Sequence, residues 1–319
     1  MKVLFLVDKY PSPNQPKHGK YPAIRKMIHN ESWDVDMAAY LAHKTQSVWK
    51  WQRTSLEREE GDGNRSLIYK DYTFDNLIRI LNFLFHRQVT AWGLNVRLGR
   101  ILYKFLERKL IRFVETQGKP DVIHLYGVQA QAGFIGARIA SALANHFQVP
   151  LVFNVHEAIG YSYSKGNVPK AVSECFKATS LFAPVSQPLG EHWISIIPEI
   201  AELPIQAIPN PVSGSIFRVG SKANKEAQFI IVHISKLDAN KNIDVIIEAF
   251  LGFLEVVPQA ELLLIGNDKL TDHAKAIWEK GGSSPQIKLL GKKSRQEIAD
   301  TMASAHAYVQ ASTLETFGI

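Results

Sequence analysis

Apolar residues in this chain fall into short unbroken runs, separated by longer segments in which they recur every three or four positions. Residues 2–7 form the first run and predict a buried strand. A loop over 8–20 follows, carrying Pro11, Pro13, Pro16 and Gly19. A helix is expected over 21–29 and a second strand over 35–41, whereas residues 51–72 are polar and predict no element. From 75 to 116 the spacing is helical, with Leu77, Ile80, Leu81, Leu84 and Phe85 followed by Leu98, Ile101, Leu102, Phe105 and Leu106. Gly118 and Pro120 close that segment. Strands are predicted at 122–126, 151–155 and 181–185, with helices at 130–147 and 169–177 between them. Such alternation indicates parallel βαβ units, because parallel neighbours need a crossover long enough to hold a helix.

Asn210-Pro211-Val212 is a turn signal, and the polar stretch 213–226 after it marks a boundary. A second series then begins, with strands at 229–234, 262–265, 287–290 and 307–310 and helices at 243–257, 272–280 and 295–303. The first of these helices is well marked, since Ile243, Ile246, Ile247, Phe250, Leu254 and Val257 form one apolar stripe. A length of 319 residues is more than one core usually serves. The expectation is two α/β domains, 1–212 and 213–319, using the same architecture without an internal sequence repeat.

Composition adds exclusions. At 46% hydrophobic and 21% charged residues the chain is an ordinary globular one. Its one cysteine, Cys175, has no partner for an internal disulfide and suits a reducing compartment. The amino terminus has too few apolar residues before Asp8 for a signal-peptide core. No run approaches the roughly 18 to 20 apolar residues of a membrane span. A cytoplasmic location is expected, where the sequon Asn30-Glu31-Ser32 would be accidental. The net charge of +7 is unevenly placed. Residues 213–319 carry 12 basic and 12 acidic side chains, whereas 76–119 alone carry nine basic against two acidic, interleaved with Phe83, Phe85, Trp92, Tyr103 and Phe105. Such a segment can lie on an anionic bilayer at the inner face of the membrane, or it can be a solvated helix face. None of the usual motifs supports nucleic acid.

Candidate chemistry gathers just past predicted strand ends, where open α/β sheets hold ligands. Lys236 and Lys241 follow the run 229–234 and precede a helix, so both could pair with phosphate beside a positive helix end. Glu315 follows 307–310 and could accept hydrogen bonds from sugar hydroxyls. Each of these, taken alone, is more often a solvated loop charge. His156 follows the strand 151–155, and His124, inside its own strand, reads as structural. Asp34-Val35-Asp36 has the spacing of a metal-binding pair, but strand alternation explains it more simply. Neither half has G-x-G-x-x-G after its first strand, which disfavours a dinucleotide-dependent oxidoreductase.

The series from Lys236 and Lys241 through 260–267, 287–291 and 298–308 to Ser312-Thr313-Leu314-Glu315-Thr316-Phe317-Gly318 resembles the carboxyl-terminal domain of family 4 retaining glycosyltransferases of the GT-B fold. Tyr10-Pro11 with Gly19, Asp121-Val122-Ile123-His124, 150–156 and Ile208-Pro209-Asn210-Pro211-Val212 resemble that family's first domain. The resemblance implies two Rossmann-like domains facing each other, an acceptor-side domain and a nucleotide-sugar domain that is incomplete here. It implies a UDP- or GDP-linked sugar donor, a glycan or lipid-linked acceptor, retention of configuration, and neither metal nor other cofactor. Lys236 and Lys241 would hold the diphosphate and Glu315 the donor-sugar hydroxyls. Phe317 and Gly318 would turn their amides to the sugar or phosphate, Gly291 and Lys292 would lie near the nucleoside, His156 would approach the reacting sugar, and Gly19 would admit backbone close to the phosphates. Three departures stand out. Lys236 replaces the usual arginine, Gly19 lacks a neighbouring glycine, and a second glutamate expected eight residues after Glu315 lies past the last residue. A truncated copy is therefore expected, and a catalytically inactive nucleotide-sugar-binding fragment is the alternative.

Overall fold

The computed structural model describes residues 2–7, 37–41, 55–61, 64–71, 98–127, 135–156, 170–210, 212, 214–218, 228–267 and 269–317. The chain divides into two compact units, Met1–Pro211 with Thr316–Ile319, and Val212–Glu315. Thr316 and Phe317, expected in the second domain, group with the first unit.

The first unit is built on a seven-stranded sheet. Its strands are β1 (Val3–Val7), β2 (Met37–Leu41), β3 (Ser55–Gly61), β4 (Asn64–Asp71), β5 (Val122–Tyr126), β6 (Leu151–Val155) and β7 (Leu181–Pro184), in the order β3-β4-β2-β1-β5-β6-β7. Every neighbouring pair is parallel except β3 and β4, which form an antiparallel hairpin at one edge. Helices α1 (Leu98–Gln117), α2 (Ile135–Phe147), α3 (Lys170–Lys177) and α4 (Gln187–Ile196) complete the described elements, with a 3-10 turn at Pro198–Glu202.

Burial explains why these runs became strands. Leu4, Leu6, Ile123, Leu125, Leu151 and Phe153 are wholly enclosed, as expected where helices cover a parallel sheet. Phe153, Phe176, Phe182 and Trp193 close the far end of this core, with ring centroids 5.0 to 6.4 Å apart in tilted and edge-on arrangements. Cys175 lies among them, fully buried, and burial pushes its thiol up to about 12.

The second unit holds a four-stranded, all-parallel sheet of β8 (Ile230–Ile234), β9 (Glu261–Ile265), β10 (Ile287–Gly291) and β11 (Ala307–Tyr308), in the order β10-β9-β8-β11. Its helices are α5 (Ile243–Leu254), α6 (Asp272–Lys280) and α7 (Arg295–Ser304). The predicted stripe of α5 is the buried one: Ile243, Ile246, Ile247 and Phe250 pack on Leu262 and Leu264. From β8 the chain builds outward through β9 to β10, then returns to place β11 on the other side of β8. That reversal is the point at which such sheets open a crevice at their carboxyl ends.

Candidate functional site

The loops that leave β8 and β11 meet at this strand-order reversal. After Ile234 the chain runs through Ser235, Lys236, Leu237 and Asp238 into a 3-10 turn at Ala239–Lys241, and Asn242 then opens α5. Leu237 and Asn242 both adopt left-handed backbone, with φ of 54° and 46°. A leucine there is strained by about 1–2 kcal/mol, and two contacts hold it. Its side chain is buried, and its amide donates to Ser235 Oγ at 2.9 Å.

Hydrogen bonds stitch this loop to the one after β11. Asn242 Nδ2 donates to the Ala311 carbonyl at 2.8 Å and to Thr313 Oγ1 at 2.9 Å. The Thr313 amide donates to the Asn240 carbonyl at 3.0 Å, and Asn240 Nδ2 to the Leu314 carbonyl at 3.1 Å. At the end of the seam Lys241 Nζ is paired directly with Glu315 Oε1. Gln310 Nε2 donates to the same oxygen at 2.6 Å, and Tyr308 holds Gln310 in turn by donating to its Oε1 at 2.7 Å. Partial burial acts to raise the Glu315 pKa, but the bonds from Lys241, Ser312 and Gln310 and the charge of Lys241 outweigh it and hold the carboxyl below its ordinary value.

Beneath the seam lies His233, fully enclosed. Its Nδ1 is 2.8 Å from the Val309 carbonyl and its Nε2 2.7 Å from Ser235 Oγ. A carbonyl can only accept, so Nδ1 carries the proton, and Nε2 accepts from the Ser235 hydroxyl. Burial lowers the pKa of this ring, as a neutral tautomer requires. On the other side the Ser235 carbonyl presses against Gly266, where an added Cβ would stand 1.9 Å from that oxygen. The Gly266 amide donates to the Gly291 carbonyl at 3.0 Å, linking the ends of β9 and β10.

The two units each hold part of the predicted residue set. Lys241 and Glu315 are brought into contact, while Lys236 is exposed in the same loop. Gly291 ends β10 at φ 66°, a conformation suited to glycine, and Lys292 beyond it is exposed. Phe317 packs on the hydrophobic core of the first unit, and the Thr316 carbonyl accepts from Ser186 Oγ at 2.6 Å. Gly19, Gly318, Asp34 and Asp36 lie outside the described residues, as do residues 76–97 of the basic segment. Its remainder in α1 exposes Lys104, Arg108 and Arg112 at intervals of four.

His156, in the first unit, follows β6. Asn154 Nδ2 donates to the Ala183 carbonyl at 2.5 Å, which leaves Oδ1 to accept from His156 Nε2 at 2.6 Å. The imidazole lies against Tyr126, with centroids 3.8 Å apart. Burial pushes His156 down to about 3, opposed by a bond to Asn210 and reinforced by neighbouring His124. His124 is pushed down to about 4, again by burial, with Asn154 opposing. Its Nε2 has no hydrogen-bond partner among the described residues.

Sequence reasoning missed Asn242, Gln310, His233 and Gly266. A signal existed for Asn242, since an asparagine just before an apolar helical stripe is a capping residue that tolerates left-handed backbone. Gln310 and His233 carried none, because their importance arises only when β11 returns beside β8. Among the described residues no cluster of three or more histidine, cysteine or acidic side chains could hold a metal ion, and no helix is long and apolar enough to cross a membrane.

This fold, an α/β pair of Rossmann-like units with parallel sheets, is that of GT-B glycosyltransferase structures. Residues 218–319 match the family described as Glycosyl transferases group 1. Among curated proteins, the phosphatidylinositol N-acetylglucosaminyltransferase gpi3 subunit of Schizosaccharomyces pombe is 28% identical over 115 residues, 36% of this chain. The chain spans 25% of that relative's length. Among solved structures, a trehalose-6-phosphate protein of E. coli bound with UDP-2-fluoro glucose superimposes with a TM-score of 0.60 at 9% identity, over 99% of this chain and 79% of that one. HepE of Anabaena, solved in complex with UDP, gives 0.57 at 18% identity, over 98% and 75%.

Proposed function

We propose that the protein is a glycosyltransferase that moves a sugar from a UDP- or GDP-linked donor to a glycan or lipid-linked acceptor, with retention of anomeric configuration. The observation that carries this reading is the Lys241–Glu315 pair, held by the seam between the loops after β8 and β11. Such a pair supplies a cation for a diphosphate and an ionised carboxylate for sugar hydroxyls within one crevice. The match of residues 218–319 to a glycosyl transferase family and the UDP in the solved relatives support the same reading.

In this scheme the donor diphosphate displaces Glu315 from Lys241, and the freed carboxylate turns to the sugar. Negative charge grows on the departing diphosphate as the glycosidic bond breaks, and fixed cations at Lys241 and Lys236 lower that barrier. The leaving phosphate oxygen takes the acceptor proton on the same face, so no protein nucleophile or metal is needed. The exposed row Lys104, Arg108 and Arg112 of α1 fits an acceptor that resides in an anionic membrane.

A panel of UDP- and GDP-sugars tests the reading. Saturable donor binding with turnover is expected, and Lys241→Ala should lower kcat/KM by roughly 100-fold or more, the scale of losing one charge-stabilising group. Turnover should survive EDTA. Failure of every donor to bind would overturn the reading, and absence of sedimentation with anionic liposomes at low salt would remove the membrane component alone.

A further inference from the structure

Beneath the Lys241–Glu315 pair, His233 bridges the two strands that flank the strand-order reversal. It lies in β8, donates from Nδ1 to the Val309 carbonyl just past β11, and accepts at Nε2 from the Ser235 hydroxyl. Ser235 Oγ in turn accepts the Leu237 amide. This relay runs outside the ladder, which already joins Val309 N to the Val232 carbonyl at 3.0 Å. Strand pairing alone therefore does not account for it. A phenylalanine or leucine would fill the same enclosed space, yet the position holds a ring with two directed polar atoms, each satisfied. Both bonds end on the loops that carry Lys236, Lys241 and Glu315, and Gly266 closes the Ser235 carbonyl from the opposite side.

We infer that His233 is a positioning residue, whose neutral imidazole sets the spacing between the β8 loop and the β11 loop and so the distance between the cation and the carboxylate that receive the donor. This inference rests on the donor-site reading above. It assigns the ring no contact with substrate; the ring acts through Ser235 and Val309.

Calorimetric titration of UDP and GDP into the full chain tests it. His233→Phe keeps the ring volume and removes both bonds, and it should weaken binding roughly tenfold, the size of one net hydrogen bond. His233→Asn places an amide donor where Nδ1 stood and should recover most of the affinity. Ser235→Ala, which cuts only the second link of the relay, should weaken binding by a smaller factor and remains useful if His233→Phe does not fold. Ile247→Val, a core change in α5 that lowers stability and removes neither bond of the relay, should leave affinity unchanged. Wild-type protein that binds neither nucleotide would overturn the donor-site reading. Wild-type binding with equal affinity in His233→Phe, or a loss that Ile247→Val reproduces, would overturn the positioning role alone. Nitrogen-15 spectra of the histidine rings supply a ligand-free check: a neutral Nδ1–H ring at pH 7 is expected for His233, and an Nε2–H or cationic ring would refute the relay.

Discussion

Asn242 and Gly266 show how single side chains shape the site. Asn242 combines a left-handed backbone with two side-chain bonds to the opposite loop. Replacement by glycine keeps the backbone comfortable but cuts the bonds, and replacement by alanine loses both advantages. The expected stability order in urea unfolding is Asn, then Gly, then Ala, with the alanine variant down by about 1–3 kcal/mol. An alanine variant as stable as the glycine one would show that the backbone conformation costs nothing here. Gly266→Ala drives a methyl into the Ser235 carbonyl, and because that contact is backbone it cannot be relieved by a rotamer change. A loss of about 1–3 kcal/mol is expected, the usual range for overpacking, together with weaker nucleotide binding. Lys236, Lys241 and Glu315 were legible as candidates because each charge follows an apolar run. Their pairing was not, since Lys241 and Glu315 are 74 residues apart and meet only through the return of β11.

Elements with strong periodicity were read closely. The buried runs at β1, β5, β6, β8 and β9 and the apolar stripe of α5 lie within a few residues of their predicted bounds, because burial on both faces leaves an unbroken apolar signature. The β3–β4 hairpin was missed for the opposite reason. Its edge strand, Ser55–Gly61, has Glu57, Arg58, Glu59 and Glu60 in sequence where the buried strands have an apolar run. The Asp62-Gly63 dipeptide between the two strands was the available hairpin signal. Helix α4 was also overlooked, though Ser186 before Gln187-Pro188 has the form of a capped start. Ser186 Oγ accepts the Leu189 amide at 3.3 Å while donating to Thr316. Ser186→Ala should cost about 1–2 kcal/mol. Ser186→Asp, which restores the acceptor but not the donor, should recover only part of this in thermal melts; full recovery would mean the Thr316 bond contributes nothing.

For the whole molecule, acid is the revealing variable. His124 and His156 are held neutral, with folded values of about 4 and about 3 against an ordinary value of 6.5. In the unfolded chain both would take up protons as pH falls below about 6.5, whereas in the native first unit they resist. Their contribution to stability is therefore complete above that pH and is lost progressively down to about pH 3. His233, also lowered, adds the same sign in the second unit. Calorimetry between pH 7.5 and 4.5 should show the melting temperature falling, and His124→Gln with His156→Gln should flatten that dependence. A melting temperature independent of pH over this range would contradict the neutral assignment.

The enclosed Cys175 gives the molecule a built-in clock. With one thiol in the sequence, shielded from solvent and reluctant to ionise, maleimide can attach only when the aromatic core of the first unit opens. Labelling rates would then report the opening of that unit without any engineered probe, while the second unit, which has no cysteine, stays silent.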